Sequence, residues 1–461
     1  MKSIRHPGLS APGNWLRLST AILALTTLAG LFAAPAQAVP SYARQTGADC
    51  ASCHVGSFGP QLTPYGQQFK LGGYTDSDEK GIKIPLSAMA VANWTRTSKA
   101  NPDHPENFND NNNAALQEAS LFLAGRLTDN IGMFVQGTYS GIEKKSSLDQ
   151  MDIRFARTLK LGETEGVVGL SFNNNPTLTD PFNTLGQWRF PYTSSDFGFG
   201  FGPSPLVESL AGSVLGLNAY TLLDKNLYAE LGIYNTPSTS TLNALNATDA
   251  GKFSGVGTYW RLAYVKDMKR DNFSVGLFGF NANLQPDRND LGTSNNYKDI
   301  GVDAAYQFLG NREHVFSLNA SYVHEMQTLN YAFANSESSN SRNNLDQFRL
   351  AGSYHYNQTY GATLGLFDSR GSADSSLYGA SSYTNRPNTA GYMLQADWTP
   401  WGKEDSWLAP WANLRLGVQY TGYTRFNGGS SYISGTDDNG NPIDRQAKDN
   451  NTLSLFAWFA I

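Results

Sequence analysis

Residues 345–368 have the sequence LDQFRLAGSYHYNQTYGATLGLFD. In the first half of this stretch, Phe348, Leu350 and Tyr354 have one parity, and His355 has the other, together with polar neighbours. Successive side chains of a β-strand point to opposite faces, so the alternation predicts a strand with one apolar and one polar face. Three polar residues then lead into a second strand of the same kind. The stretch therefore predicts an antiparallel hairpin.

The same pattern recurs from residue 85 to the C-terminus. Segments of roughly ten alternating residues are typical of transmembrane β-barrels. The predicted strands are Leu86–Thr97, Leu116–Arg126, Ile131–Ser140, Gln150–Thr158, Gly166–Asn173, Leu215–Leu223, Leu227–Tyr234, Gly255–Lys266, Phe273–Asn283, Asp299–Leu309, His314–His324, Leu345–Tyr356, Tyr360–Asp368, Ala390–Thr399, Trp411–Tyr423 and Thr452–Ile461. The predicted fold class is all-β: a barrel of about sixteen antiparallel strands over residues 85–461.

The connections between these strands alternate in length. Short turns such as 128–130 and 224–226 alternate with long polar stretches such as 99–113, 174–214 and 427–450. Short periplasmic turns and long extracellular loops characterise outer-membrane barrels, whereas a soluble β-sandwich does not predict this alternation. An even number of strands places both chain termini in the periplasm.

Composition agrees with a membrane barrel and excludes a nucleic-acid partner. Only 16% of the residues are charged, 12% are aromatic, and there are 45 glycines. Four tryptophans, Trp398, Trp401, Trp407 and Trp411, surround one short connection, as in an interfacial aromatic girdle. The net charge of −5 becomes −8 when three basic residues of an N-terminal leader are removed, which argues against binding to phosphate backbones.

That leader is predicted to be a secretory signal peptide at residues 1–38. Lys2, Arg5 and Arg17 form a basic region, an apolar run follows, and Ala36-Gln37-Ala38 supplies the cleavage site. The apolar run is shorter than the ~20 residues that a membrane-spanning helix needs. The bacterial outer membrane is the expected location.

The two cysteines of the chain lie in the sequence Cys50-Ala51-Ser52-Cys53-His54. This is the C-x-x-C-H pattern of c-type haem attachment. Two thiols one helical turn apart can form thioethers to one porphyrin edge, and the adjacent imidazole then serves as an axial iron ligand. A disulfide or a zinc site is the alternative, but zinc ordinarily takes four ligands. We therefore predict one c-type haem bound by residues 39–84, which we call the haem segment.

The second axial ligand of the iron stays open in the sequence. No histidine or methionine lies between residues 55 and 88. The candidates are Met89, His104, His324 and His355, or methionines further along the chain. Of these, His355 has the parity of a lumen-facing residue and is the weak first choice, and five-coordinate or water-ligated iron remains an alternative.

The chain resembles the fused cytochrome–porin family of iron-oxidising bacteria. The similar stretches are residues 42–47, 69–75, 119–131, 173–177 and 188–192, which together extend over most of the chain. The resemblance implies a monohaem outer-membrane conduit that carries electrons from an extracellular donor, Fe(II) in that family, to a soluble periplasmic carrier. Residues 58–65 and Tyr42 depart from the family pattern, so the haem and the barrel carry over and the iron donor does not.

Three functions are therefore compared. The first is electron transfer across the outer membrane, with the protein contacting membrane lipid, an extracellular donor and a periplasmic cytochrome. The second is a porin with a structural or redox-gating haem plug, and the third is a haem enzyme, for which the sequence offers no distal acid–base group. If Fe(II) is the donor, carboxylates in the outer loops are its candidate ligands. These carboxylates are Asp103, Asp110, Asp437 and Asp438.

Overall fold

The computed structural model describes residues 40–461, except residues 82, 102, 103, 163, 290, 291, 404, 405, 409, 410 and 438. The predicted signal peptide, residues 1–38, lies outside the described residues, as do the carboxylates Asp103 and Asp438. None of the described helices is long and apolar enough to cross a membrane.

The described part of the chain forms a closed antiparallel barrel of sixteen strands. They are β1 (Leu86–Thr97), β2 (Asn113–Arg126), β3 (Ile131–Ser140), β4 (Lys145–Leu161), β5 (Thr164–Asn173), β6 (Leu215–Leu223), β7 (Leu227–Asn235), β8 (Gly257–Asp267), β9 (Asp271–Gln285), β10 (Asn295–Phe308), β11 (His314–Thr328), β12 (Arg342–Tyr356), β13 (Tyr360–Gly371), β14 (Thr389–Trp398), β15 (Asn413–Arg425) and β16 (Thr452–Ala460). Each strand pairs with the next along the chain, and β1 pairs with β16 in the register Met89 opposite Ala460. The predicted fold class is confirmed.

Several strands are longer than the sequence predicts, at the ends that lead into the long loops. The fourth strand begins at Lys145 where Gln150 was expected, and β11 continues to Thr328 where His324 was expected. These extensions are rich in Asn, Ser, Gln and Lys and have little apolar alternation. Outside the apolar band of a barrel the outward side chains meet water, so the period-2 signal fades while the hydrogen-bond ladder continues.

The two faces of the strands separate apolar from polar side chains. In β12, Gln347, Arg349 and His355 are buried on the lumen side, whereas Phe348 and Tyr356 are more than a third exposed on the outer side. The same separation recurs in the other strands. It gives an apolar outer surface and a polar lumen wall, which is the pattern of a barrel that faces lipid.

Short helices and a small hairpin complete the described structure. Residues 39–84 contribute α1 (Pro40–Thr46), α2 (Cys50–Cys53), the 3₁₀ turn Val55–Ser57 and α3 (Pro64–Leu71). The long connections contribute the 3₁₀ turns Pro176–Thr179 and Ala447–Asn450, the helices α4 (Leu206–Ser209), α5 (Thr239–Leu245), α6 (Asn330–Ala334) and α7 (Ser375–Tyr378), the short strand Lys252–Phe253 beside β9, and the hairpin Ser431–Thr436 with Pro442–Gln446.

The haem segment lies inside the barrel, because it is bonded to strands all round the wall. Its polar contacts with the wall run from β3 through β4, β6, β10 and β11 to β15. A stretch of some forty residues has too little apolar surface for a core of its own, so the barrel wall supplies the surface against which it packs. The lumen placement agrees with the even strand number, since the chain enters β1 at the edge that carries the short turns.

The connection 174–214 was expected to be a polar outer loop, and this expectation is wrong. Every residue from 174 to 185 is buried, and Leu178, Phe182 and Leu185 are at most 1% exposed. The connection folds back into the lumen against the haem segment. We call residues 174–214 the lumen segment. Its apolar side chains are the reason for the inward path, because an outer loop leaves them in water.

Candidate haem-binding site in the barrel lumen

The C-x-x-C-H sequence forms a single helical turn whose ends are fixed by hydrogen bonds. Asp49 caps the turn, because its side chain accepts a hydrogen bond of 2.6 Å from the amide of Ser52. The amide of His54 donates to the carbonyl of Cys50 at 2.9 Å. The turn therefore gives Cys50, Cys53 and His54 fixed relative positions before any ligand is present.

Helix α3 packs directly on this turn. The hydroxyl of Thr63 donates to the carbonyl of Ser52 at 2.5 Å, and its amide donates to the carbonyl of Cys53 at 2.9 Å. At Gly66 the two backbones approach so closely that a Cβ atom would overlap the carbonyl oxygen of Cys53. Only glycine permits this approach.

Replacing Gly66 with alanine is therefore expected to displace α3 from the haem motif. The added methyl group meets backbone that cannot move independently, and overpacking of this kind costs about 1–3 kcal/mol. We expect a lower thermal unfolding midpoint for the Gly66→Ala protein. Gly200→Ala is the matched control, because nothing lies within 4 Å of its Cβ position. Equal midpoints for the two variants would show that the α3 contact is not tight.

Cys50, Cys53 and His54 line one cavity with a volume of about 290 Å³. This volume is at the lower end of the range of about 300–1,000 Å³ that is usual for ligand pockets. Its walls are mostly aromatic and apolar. They include Tyr42, Phe58, Pro60, Leu62, Phe69 and Tyr74 of the haem segment, Met89, Phe122, Phe134 and Trp458 of the barrel, and Trp188 and Tyr192 of the lumen segment.

The chemistry of the three motif side chains fits a c-type haem. Cys50 and Cys53 are not joined by a disulfide, and thiols are the groups that thioether attachment requires. Burial lowers the pKa of His54 to about 4, so its imidazole is neutral, which is the form that binds metals. Its buried Nδ1 atom has no hydrogen-bond partner among the described residues. Burial, followed by the charge of Cys50, raises the pKa of Cys53 to about 12, which keeps this thiol protonated.

The lumen segment forms one side of this cavity and is bonded to the haem segment. The ammonium group of Lys70 donates to the carbonyls of Leu178 and Asp180 at 2.7 and 2.9 Å. The amide of Leu62 donates to the side chain of Asn183 at 2.8 Å. The two segments thus fill the lumen together.

Buried ion pairs attach the filled lumen to the wall. Arg261 of β8 binds Asp180 of the lumen segment at 3.2 Å and Asp303 of β10 at 2.7 Å, and all three side chains are fully buried. On the haem-segment side, Arg154 of β4 binds Asp152 at 2.7 Å. The hydroxyl of Tyr74 donates to the same carboxylate at 2.7 Å. Buried charges require partners of this kind.

A second cavity, with a volume of about 210 Å³, lies on the other side of His54. It is lined by Asp267, Lys269, Arg312 and Gln358, all in or beside short turns of the barrel. The haem motif therefore lies near the edge of the barrel that carries the short turns. This edge is also where β1 begins and β16 ends.

The candidates for the second axial ligand occupy different places. Met89 lines the cavity that contains both cysteines. His355 lines the second cavity, and its ring lies where a Cβ atom of Gly56 would be. His104 lies in the loop between β1 and β2, and His324 binds Asp346 at 2.8 Å on the outer face of β11. His54 also lines this second cavity, but the cysteines do not, so ligation by His355 stays a prediction.

The candidate iron-binding carboxylates in the loops are not brought together. Asp110 is exposed beside His104, and Asp437 is exposed in a turn where it accepts hydrogen bonds from Asn439 and Asn441. Among the described residues, no group of three or more His, Cys, Asp or Glu side chains is placed to hold a metal ion. Glu118 and Asp149, which sequence reasoning missed, line the cavity of the haem motif. Glu118 has the inward parity of Ser120 in β2, which is a signal in the sequence, whereas Asp149 lies at a β-bulge between β3 and β4 and parity does not identify it.

Comparisons with known proteins give likenesses of fold only. No protein-family model and no curated protein sequence matches the chain. Among solved structures, it is similar to the outer-membrane protein OmpT of Vibrio cholerae, with a TM-score of 0.43 and 9% identity over 83% of this chain and 99% of that one. For the outer-membrane channel DcaP of Acinetobacter baumannii, the TM-score is 0.44 and the sequence identity is 12%, over 83% of this chain and 99% of that one. For OmpF of Salmonella typhi, solved with daunomycin, the TM-score is 0.47 and the sequence identity is 13%, over 83% of this chain and 98% of that one.

Proposed function

We propose that this protein is an outer-membrane β-barrel that holds one covalent c-type haem in its lumen and passes electrons across the membrane. The observation that carries the proposal is that Cys50, Cys53 and His54 all line one cavity inside the barrel. When bound, the haem supplies one-electron transfer at a tunable potential. Cys50 and Cys53 would attach it, and His54 would bind its iron.

The location in the outer membrane rests on the two faces of the wall. Leucine side chains such as Leu121, Leu231 and Leu262 are more than half exposed on the outer face. Patches of this kind are unfavourable in water and favourable against lipid. Since short turns are periplasmic in outer-membrane barrels, we place both chain termini and the second cavity at the periplasmic mouth.

The lumen position shortens the electron path on both sides of the membrane. The hydrocarbon core is about 30 Å thick, so a redox group on one surface is remote from the other. Inside the barrel, the motif lies close to the short turns, and the cavity continues from it to Glu118 and Asp149. We propose a soluble periplasmic cytochrome as the acceptor at the short-turn edge and an extracellular donor, with Fe(II) as the first to test.

The second candidate function is that of a porin whose haem segment is a plug. The polar lumen wall favours it, because buried Gln, Asn, Ser and Thr side chains face inward along most strands. Against it, the haem segment and the lumen segment are bonded to the wall and to each other across the lumen. Solute passage therefore requires both segments to move.

Conductance in planar lipid bilayers distinguishes the two functions. We expect the intact protein to insert without sustained open-channel steps, because two segments fill its lumen. A variant that lacks residues 40–84 and has a short linker in place of the lumen segment serves as the comparison and is expected to conduct. Porin-sized steps from the intact protein, changing with the redox state of the haem, would favour the porin over the electron conduit.

A further inference from the structure

Met89 occupies a distinctive position in the cavity of the haem motif. It lies in β1, its side chain is partly buried, and it packs against two separate apolar clusters. One cluster contains Phe58 and Trp458, and the other contains Phe69 and Phe134. Met89 thus packs against both apolar clusters and lines the same cavity as the two cysteines and His54.

The thioether of Met89 is held in place by an indole group. The Nε1–H of Trp458 donates to the sulfur of Met89 at a distance of 3.2 Å. Trp458 in turn meets Phe58 edge to face, with ring centroids 5.1 Å apart, and Phe58 follows His54 by four residues. Methionine is ordinarily a flexible side chain with three rotatable bonds, so this fixation reduces the entropy that a ligand role would cost.

Fixation by Trp458 leaves the sulfur able to bind a metal. A thioether sulfur has two lone pairs and is a weak hydrogen-bond acceptor, so one lone pair remains after the indole contact. Soft thioether sulfur is also a recognised ligand of haem iron. Around it the cavity wall is apolar, so water competes weakly for the same position.

No other described residue of the cavity offers an equivalent ligand. Among the described residues that line the cavity, His54 is the one histidine and Met89 is the one methionine. Every other candidate from the sequence lies elsewhere, with His355 on the far side of the motif against Gly56.

Building on the proposed function, we propose that the Met89 thioether is the second axial ligand of the haem iron, with Trp458 as the residue that positions it. Methionine together with histidine raises the reduction potential of a haem. The hydrogen bond from Trp458 withdraws electron density from the sulfur and raises the potential further. The site would then hold a haem that accepts electrons from donors of relatively high potential.

The test compares three methionine variants of the full-length protein. We measure the far-red sulfur-to-iron absorption band of the oxidised haem and its reduction potential. Met89→Leu and Met89→His are expected to lose the band and to lower the potential by at least a tenfold change in the electron-transfer equilibrium, about 59 mV for one electron. Met133→Leu is the matched control, because Met133 is buried in neighbouring β3 but does not line the cavity. It should keep both properties.

A fourth variant separates ligation from positioning. Trp458→Phe is expected to keep the sulfur band and to lower the potential by less than Met89→Leu does. Loss of the band in Trp458→Phe with its retention in Met89→Leu would overturn the assignment.

Covalent haem is quantified in each sample after denaturation, so that two failures stay distinct. If the unmodified protein carries no covalent haem, the proposed function and the ligand assignment both fail. If covalent haem is present and Met89→Leu keeps the band and the potential, only the ligand assignment fails. Leucine conserves the volume of methionine, so Met89→Leu is expected to fold, and Met89→His gives an independent second measurement.

Discussion

The chain with Cys50→Ala and Cys53→Ala is expected to carry no covalent haem and still to form its barrel. Thioether bonds need the two thiols, and both cysteines line the cavity of the haem motif. The barrel is held by strand pairing from β1 round to β16, to which neither thiol contributes. Haem staining of denatured gels and the intact mass measure the loss, and heat-dependent gel mobility reports the folded barrel.

Ser52→Ala is the matched control for this experiment. Ser52 lies between the two cysteines in the same turn, but it is the carbonyl of Ser52, and not its hydroxyl, that binds Thr63. This variant should keep full haem content. Covalent haem in the double cysteine variant would contradict the assigned attachment site. So would a Ser52→Ala protein that lacks haem while the double cysteine variant retains it.

Replacing Arg261 with alanine is expected to release the lumen segment from the wall. The substitution leaves Asp180 and Asp303 buried without their cation, and breaking a buried ion pair in this way costs about 3–5 kcal/mol. Asp180 also accepts hydrogen bonds from the amides of Phe182, Thr184 and Leu185, so the turn that it organises loses its attachment. Faster amide hydrogen exchange at residues 174–185 measures the release.

Arg370→Ala serves as the control for the loss of an arginine. Arg370 pairs with Asp368 at the surface, where its side chain is 63% exposed, and Arg425 remains as a second partner of Asp368. Exposed pairs contribute little to stability, so exchange in the lumen segment should not change. Equal exchange rates at residues 174–185 in the two variants would show that the buried ion pairs do not anchor that segment.

The sequence predicts the barrel because lipid imposes a strict rule on its outer face. The bounds of strands such as β1 and β6 agree with the predictions residue for residue. Where strands extend beyond the apolar band, as at Lys145 and Thr328, their outward side chains do not have to be apolar. The sequence therefore predicted these strand ends too short. The hairpin Ser431–Thr436 with Pro442–Gln446 was also missed, because its two short strands show no regular alternation of apolar and polar residues.

The site was only partly predictable, because local motifs do not reveal which distant residues meet. The C-x-x-C-H pattern identifies Cys50, Cys53 and His54 from five neighbouring residues. The cavity around them depends on the path of the lumen segment and on the closure of β1 against β16, which brings Met89 and Trp458 together across 369 residues. Parity alone favoured His355, since parity reports the face of a strand and not the position along the lumen.

Electron transfer into closed vesicles tests the central claim most directly. The haem-loaded protein is reconstituted into liposomes that contain an oxidised soluble c-type cytochrome, and Fe(II) or another impermeant donor is added outside. The account predicts rapid reduction of the enclosed cytochrome, seen by stopped-flow absorbance, and no reduction with the Cys50→Ala, Cys53→Ala protein. Equal reduction with both proteins would mean that the donor leaks through the lumen. An enclosed cytochrome that stays oxidised with every impermeant donor would contradict an electron route through this barrel.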